Sequence, residues 1–227
     1  MTAKPPRPPR VTAAAKDRAD RLYHALEKAY PDAHCELDYT QPHELLVATI
    51  LSAQTTDVAV NKVTPDLFRR FPTPADFAAS SPEEIEPFIR TIGLFRNKAK
   101  AVHQAMKTVV ERHGGEVPRT MEALLELRGV ARKTANVVLG NVFGINEGVV
   151  VDTHVERLSK RLGLAPADAT VALVERHLMA LFPRESWCQL SHLLIFHGRR
   201  ACSARLAKCC DHPICREFGR RCELPRD

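Results

Sequence analysis

Leu127-Arg128-Gly129-Val130-Ala131-Arg132-Lys133-Thr134-Ala135 reads as a helix, a tight glycine turn and a second helix. Before it, Glu122, Ala123, Leu124, Leu125 and Leu127 form a short helical segment. After it, Ala135, Val138, Leu139 and Val142 recur at i, i+3, i+4 and i+7, one apolar face of a helix. Gly129 supplies the backbone freedom that a close reversal needs. Such a turn leaves the first amides of the second helix unpaired and outward-facing, where they hold an anion such as phosphate. Arg128, Gly129, Val130, Ala131, Arg132 and Thr134 are therefore candidate contacts to a polyanion, with Lys133 among them. Downstream, Val149-Val150-Val151-Asp152-Thr153-His154 ends on a carboxylate at another helix start. A lysine, a carboxylate and a phosphate cradle together point to chemistry on nucleic acid.

The 227 residues, 44% of them hydrophobic, suffice for one large domain or two small ones. No apolar run reaches the length of a membrane span, and the N-terminus lacks a hydrophobic signal region. The expectation is a soluble, intracellular protein with no membrane partner. Lys plus Arg outnumber Asp plus Glu by 33 to 27, a net charge of +6 that favours a polyanionic partner without proving one.

Helical periodicity dominates the chain. Residues 1–15 are rich in proline and arginine and are expected to be a disordered basic tail. Residues 15–30 give an amphipathic helix, and residues 42–52 a central buried one, apolar over most of its circumference. After a polar break at 53–57, helices are predicted over 58–70, 73–77, 81–89 and 97–113. The third of these opens on Ser81-Pro82-Glu83-Glu84, and the last closes on Gly114-Gly115. Beyond the hairpin, further helices are predicted over 152–162, 166–181 and 184–199. The valine triplet at 149–151 is too short to argue a sheet. The expected fold class is all-α.

Lysine in the first turn of a helix is ordinarily a solvated charge. Lys133 differs because helix starts prefer acids; the dipole, added to burial, lowers an ammonium's pKa, which a nucleophilic amine requires. Asp152 suits a helix N-cap, with Thr153-His154-Val155-Glu156 as a capping box. A carboxylate held by amides stays ionised and stabilises a developing oxocarbenium-like sugar. Gln54 and Leu94 each stand at a break between helices. Trp187 is expected in the core, and the ten histidines form no zinc-hydrolase or deaminase signature.

Seven cysteines are distributed unevenly: Cys202, Cys209, Cys210, Cys215 and Cys222 crowd together, while Cys35 and Cys188 stand alone. In an intracellular chain such a cluster indicates metal before disulfides. Zinc knuckles are tighter than these loops, so the spacing fits a cubane iron–sulfur cluster better, with Cys209 and Cys210 competing for one place. The surrounding arginines place possible phosphate contacts on the same loops.

Taken together, Leu51-Ser52-Ala53-Gln54-Thr55-Thr56-Asp57, Thr91-Ile92-Gly93-Leu94, the hairpin to Asn136, Val151-Asp152-Thr153-His154 and the terminal cysteines resemble bacterial endonuclease III, of the helix-hairpin-helix DNA glycosylases. The resemblance runs from about 18 to 222. It implies two α-helical domains with DNA bound in the cleft between them: a six-helix domain over 37–148 carrying the hairpin, and a second over 16–36 plus 149–227 carrying a [4Fe-4S] cluster. It implies excision of oxidised pyrimidines from double-stranded DNA and cleavage at the abasic site by a monomer that is cytoplasmic and nucleoid-associated. Lys133 would be the nucleophile at the sugar C1′ and Asp152 its assistant. Gln54 would fill the hole left by the flipped nucleotide, and Leu94 would wedge into the opposite strand.

The chain departs from the family twice. The usual hairpin is Leu-Pro-Gly-Val-Gly, and here Arg128 and Ala131 replace the proline and second glycine; the alanine Cβ is expected to crowd a phosphate. The usual cysteine pattern, Cys-x6-Cys-x2-Cys-x5-Cys, would put its third ligand at 212, which is histidine. The expected ligands are Cys202, Cys209, Cys215 and Cys222, with Cys210 the alternate for Cys209 and His212 a further alternative. Two rival functions are an adenine-removing monofunctional glycosylase, disfavoured by Lys133 and by the chain end at 227, and a non-catalytic DNA-binding module.

Overall fold

In the computed structural model, which describes residues 9–204 and 211–220, caps and prolines set most helix starts. Thr12 caps α1 (Ala13–Ala29). Proline in the first turn opens α2 (Pro42–Leu51), α4 (Thr64–Arg70), α5 (Pro74–Ala79) and α6 (Pro82–Ile89), where a missing N–H costs nothing. The predicted 58–70 helix is two: α3 (Asp57–Asn61), capped by Thr56, and α4, because Pro65 cannot continue a helix begun at 58. Next come α7 (Phe95–His113), α8 (Met121–Leu125), α9 (Arg132–Phe143) and α10 (Thr153–Arg161). α11 (Val171–Leu181) starts five residues later than predicted: 166–169 form a turn closed by Ala169 N–H donating to the Pro166 carbonyl, and Thr170 is the cap. A 3-10 turn (Arg184–Ser186) leads into α12 (Trp187–Arg200), and α13 (Pro213–Phe218) lies in the cysteine-rich segment where no helix was expected. The predicted tail is shorter than expected, since 13–15 already belong to α1. The described residues contain no β-strand, and none of their helices is long and apolar enough to cross a membrane.

The chain divides into two units, Cys35–Glu147 and Met1–His34 with Gly148–Asp227. In the first, α2 is the spine: Leu45 to Ala48, Ile50 and Leu51 are all buried, and α7 and α9 pack on it. α5 and α6 cover α7, with Phe71, Phe77 and Ile85 filling the space beneath. In the second unit α12 packs on α10 and α1, and Leu22, Leu26, Leu158, Leu190, Leu193 and Leu194 are sealed between them. Trp187 belongs to this core, its indole N–H donating to the Phe182 carbonyl at 3.0 Å. The valine triplet is buried and lies outside any helix, and the Val150 N–H donates to Ser191 Oγ.

Candidate active site

The hairpin turns at Gly129, whose φ of +82° lies in the left-handed region. A Cβ there would stand 3.0 Å from Ala101 Cβ and 3.4 Å from an Ile50 methyl, so glycine lets α7 and α2 close on the turn. Ala131 is the N-cap of α9 and has no side-chain oxygen to offer its amides; the first intrahelical bond runs from Ala135 N–H to the Ala131 carbonyl. With φ of −99° and ψ of 171°, Ala131 adopts ordinary extended backbone, so the glycine of the family pattern is not required there by conformation. No acid occupies the first turn of α9. Arg128, Gly129, Ala131, Arg132 and Lys133 are exposed and Thr134 is half-buried. Val130 is buried instead, its amide donating to the Leu127 carbonyl, and Arg132 Nη2 donates to the Glu147 carbonyl. The expected burial of Lys133 is not present: its side chain is exposed, so only a bound partner can desolvate it.

Gln54 and Leu94 share one unexpected property. Among the described residues they are the only non-glycines at positive φ, 55° and 58°. Both are exposed, Leu94 at 58%. Such backbone costs of order 1–3 kcal/mol and persists where surrounding structure imposes it. Lys98, only 5% exposed, connects the two: its ammonium donates to Thr55 Oγ1 at 2.6 Å, beside Gln54, and its amide donates to the Leu94 carbonyl at 3.0 Å. Burial pushes the Lys98 pKa below the usual lysine range. Sequence inspection missed this residue, because a lysine on a basic helix gives no sign of burial.

In the other unit Asp152 caps α10, one carboxylate oxygen accepting from the amides of His154 and Val155 at 2.8 Å each. The predicted capping box does not form. Its partner position is Val155, and Glu156, one residue too late, pairs with Lys160 at 2.6 Å. The far end of α10 serves the cysteine segment. Arg157 Nη2 donates to the carbonyls of Gly198 and Cys202, and Arg161 Nη1 donates to Cys202 Sγ at 3.2 Å and the Ser203 carbonyl at 2.9 Å. Gly198 permits this crossing, since a Cβ there would lie 3.0 Å from His154 Nδ1 and 3.1 Å from the Arg157 guanidinium.

Cys202 and Cys215 are both buried. Cys215 Sγ lies 3.2 Å from His197 Nε2; His197 Nδ1 lies 2.7 Å from the Tyr30 hydroxyl, which is 3.3 Å from His212 Nε2. Burial, reinforced by Cys215, pushes Tyr30 up to about 12; burial, then His212, pushes His197 down to about 4. Cys209, Cys210 and Cys222 lie outside the described residues, among which no group of three metal-capable side chains occurs.

Residues 47–184 match the family model of the HhH-GPD superfamily base excision DNA repair protein. The chain is 53% identical to endonuclease III of Synechocystis over 88% of its length and 91% of the relative's. The chain belongs to the endonuclease III family of HhH-GPD base excision DNA repair proteins. Endonuclease III of Bacillus subtilis is 47% identical over 85% of this chain and 89% of its own. Among solved structures, a trapped endonuclease III–DNA covalent intermediate superposes with a TM-score of 0.85 at 44% identity, covering 93% of this chain and 97% of that one. The matched length takes in residues of both units.

Proposed function

We propose that the protein is a DNA glycosylase and abasic-site lyase of base excision repair, acting on oxidised pyrimidines in duplex DNA. One observation carries the assignment of the nucleophile: Lys133 is exposed in the first turn of an uncapped helix, directly after a left-handed glycine turn. Phosphate on the free amides of α9 would bring a deoxyribose to that amine. A base inside a duplex is unreachable, so the nucleotide is flipped out, at a few kcal/mol that is least for a damaged base. Gln54 and Leu94, presented by backbone that other residues avoid, offset part of the lost stacking. The Lys133 amine attacks C1′ as the base departs, giving a Schiff base that acidifies the neighbouring sugar proton; its loss expels the 3′ phosphate by β-elimination. Asp152, fixed by two amides, supplies the anion that steadies positive charge on the sugar.

A [4Fe-4S] cluster is the cofactor this family reading implies. The described cysteines fit it: Cys202 Sγ receives a hydrogen bond from Arg161, a group that only donates, as a metal-bound thiolate accepts. Cys202, Cys215, Cys222 and one of Cys209 or Cys210 would hold it. His212 is a poorer ligand, because one ring nitrogen accepts from the Ile214 amide and the other faces Tyr30. The cluster supplies bracing of the arginine-bearing segment rather than electrons, since the proposed reaction transfers none.

The test is borohydride trapping on a duplex bearing one oxidised pyrimidine. Wild type should give a covalent adduct and a nicked strand, and Lys133→Ala should bind without either. Absence of an adduct with wild type refutes the lyase reading. Base release without nicking would select a monofunctional glycosylase, and salt-dependent binding alone a non-catalytic module.

A further inference from the structure

The chain of polar contacts that ends on Cys215 has only one polarity open to it. Its outer end is a backbone amide: Ile214 N–H donates to His212 Nδ1 at 3.3 Å, as part of the N-cap of α13. A backbone N–H cannot accept, so the neutral His212 ring carries its proton on Nε2. That N–H donates to the Tyr30 hydroxyl at 3.3 Å, and the Tyr30 O–H donates to His197 Nδ1 at 2.7 Å. His197 then carries its own proton on Nε2, which lies 3.2 Å from Cys215 Sγ. A Cys215 thiol donating inward would put the His197 proton on Nδ1. Then either His212 carries its proton on Nδ1, facing the Ile214 N–H, or Tyr30 accepts from both imidazoles and its own buried O–H has no acceptor among the described residues. Packing leaves the relay little room to rearrange. His197 is fully buried and Tyr30 nearly so, His212 lies parallel to the Tyr30 ring at 9°, and the two imidazoles meet edge to face with centroids 4.9 Å apart.

We infer that Ile214 N–H, His212, Tyr30 and His197 form a directional hydrogen-bond relay. It makes Cys215 Sγ an acceptor, orients that thiolate as a ligand, and stabilises the more electron-rich state of the metal group it binds. The inference rests on the cluster reading above and goes beyond it by giving three residues from separate parts of the chain a joint role. It also gives a purpose to the departure at 212. Where the family pattern has a cysteine, this chain has a histidine whose two nitrogens link a helix cap to a tyrosine. Tyr30 and His197 act through Cys215 and are positioning residues. Hydrogen bonds to cluster sulfurs stabilise the reduced form, so weakening the last bond lowers the reduction potential.

The experiment compares purified full-length wild type with Tyr30→Phe, which removes only the hydroxyl, and His212→Asn, which retains a cap acceptor for Ile214 but cannot reach Tyr30. Tyr23→Phe, at a half-buried tyrosine of α1 outside the relay, is the control. Iron and sulfide content, the reduction potential on a DNA-free electrode, and the deuterium-induced shift of the Fe–S(Cys) Raman bands are measured for each. Expected is full iron loading of wild type and control at one shared potential. Both relay variants should move to a more negative potential with a smaller deuterium shift. Iron-loaded relay variants with wild-type potential and wild-type Raman shifts overturn the relay and leave the cluster reading intact. Wild type containing no iron or sulfide overturns the cluster reading and the relay with it. Should neither relay variant load, wild type alone decides, since Fe–S bands indifferent to deuterium overturn the relay.

Discussion

Thr55→Val and Lys98→Met remove the same hydrogen bond from opposite ends, and the structure predicts unequal consequences. Lys98 is 5% exposed, and its ammonium donates to Thr55 Oγ1 at 2.6 Å and has no carboxylate partner among the described residues. A hydrogen bond to a charged group contributes roughly 1.5–3 kcal/mol, and a buried charge left without one incurs the full desolvation penalty. Thr55→Val, nearly equal in volume, therefore costs about 2–3 kcal/mol. Lys98→Met loses the same bond but also removes the buried charge, and the half-exposed Thr55 hydroxyl turns to water, so its net cost stays within about 1 kcal/mol. For a chain of this length, roughly 2–4 °C of Tm per kcal/mol puts Thr55→Val about 4–8 °C below wild type, with Lys98→Met and the double variant close together above it. The sign with pH follows from the lowered pKa. Below the folded-state pKa of Lys98 the fold must hold an ammonium that the unfolded chain keeps in water. As pH rises from that value toward the ordinary lysine range, the unfolded state binds more protons and stability increases. The Tm deficit of Thr55→Val should accordingly shrink at alkaline pH, and Lys98→Met should lack the effect. Equal Tm losses for the two single variants at neutral pH would refute the argument.

Gly129→Ala should destabilise by about 2–4 kcal/mol, combining a left-handed φ of +82° with a Cβ placed 3.0 Å from Ala101 Cβ, and chemical denaturation with DNA binding measured alongside tests it. Asp152→Asn should keep the helix cap within a few tenths of a kcal/mol and retain DNA binding while losing most turnover. Asp152→Ala should lose turnover and a further cap contribution of about 0.5–2 kcal/mol. Comparing the two on one oxidised-pyrimidine duplex separates charge from capping, and an Asp152→Asn protein with normal turnover would remove the carboxylate from the mechanism.

The hairpin was legible because Gly129 interrupts two apolar periodicities and nothing distant has to be known to see it. Asp152 was legible for the same local reason, though the capping box was misplaced by one residue because Glu156 matches its chemistry and not its position. Pro65 was sufficient to split 58–70, but the apolar rhythm across it masked the break. A six-residue helix such as α13 carries too few turns to leave a periodic trace, and it owes its start to His212 and Pro213. What no local pattern reveals is contact across the chain. Tyr30 and His197 are 167 positions apart, and Lys98 and Thr55 are 43 apart. The strain at Gln54 and Leu94 was visible only as a pair of interruptions, since φ is decided by what the neighbouring helices require.

The nine residues of α10 span roughly 13 Å. Asp152 sits at the front of this rod and the arginines that grip Cys202 at the back. Any change that displaces the segment around Cys202 therefore shifts the last turn of that rod, and a stiff helix carries the shift to the carboxylate at its leading end.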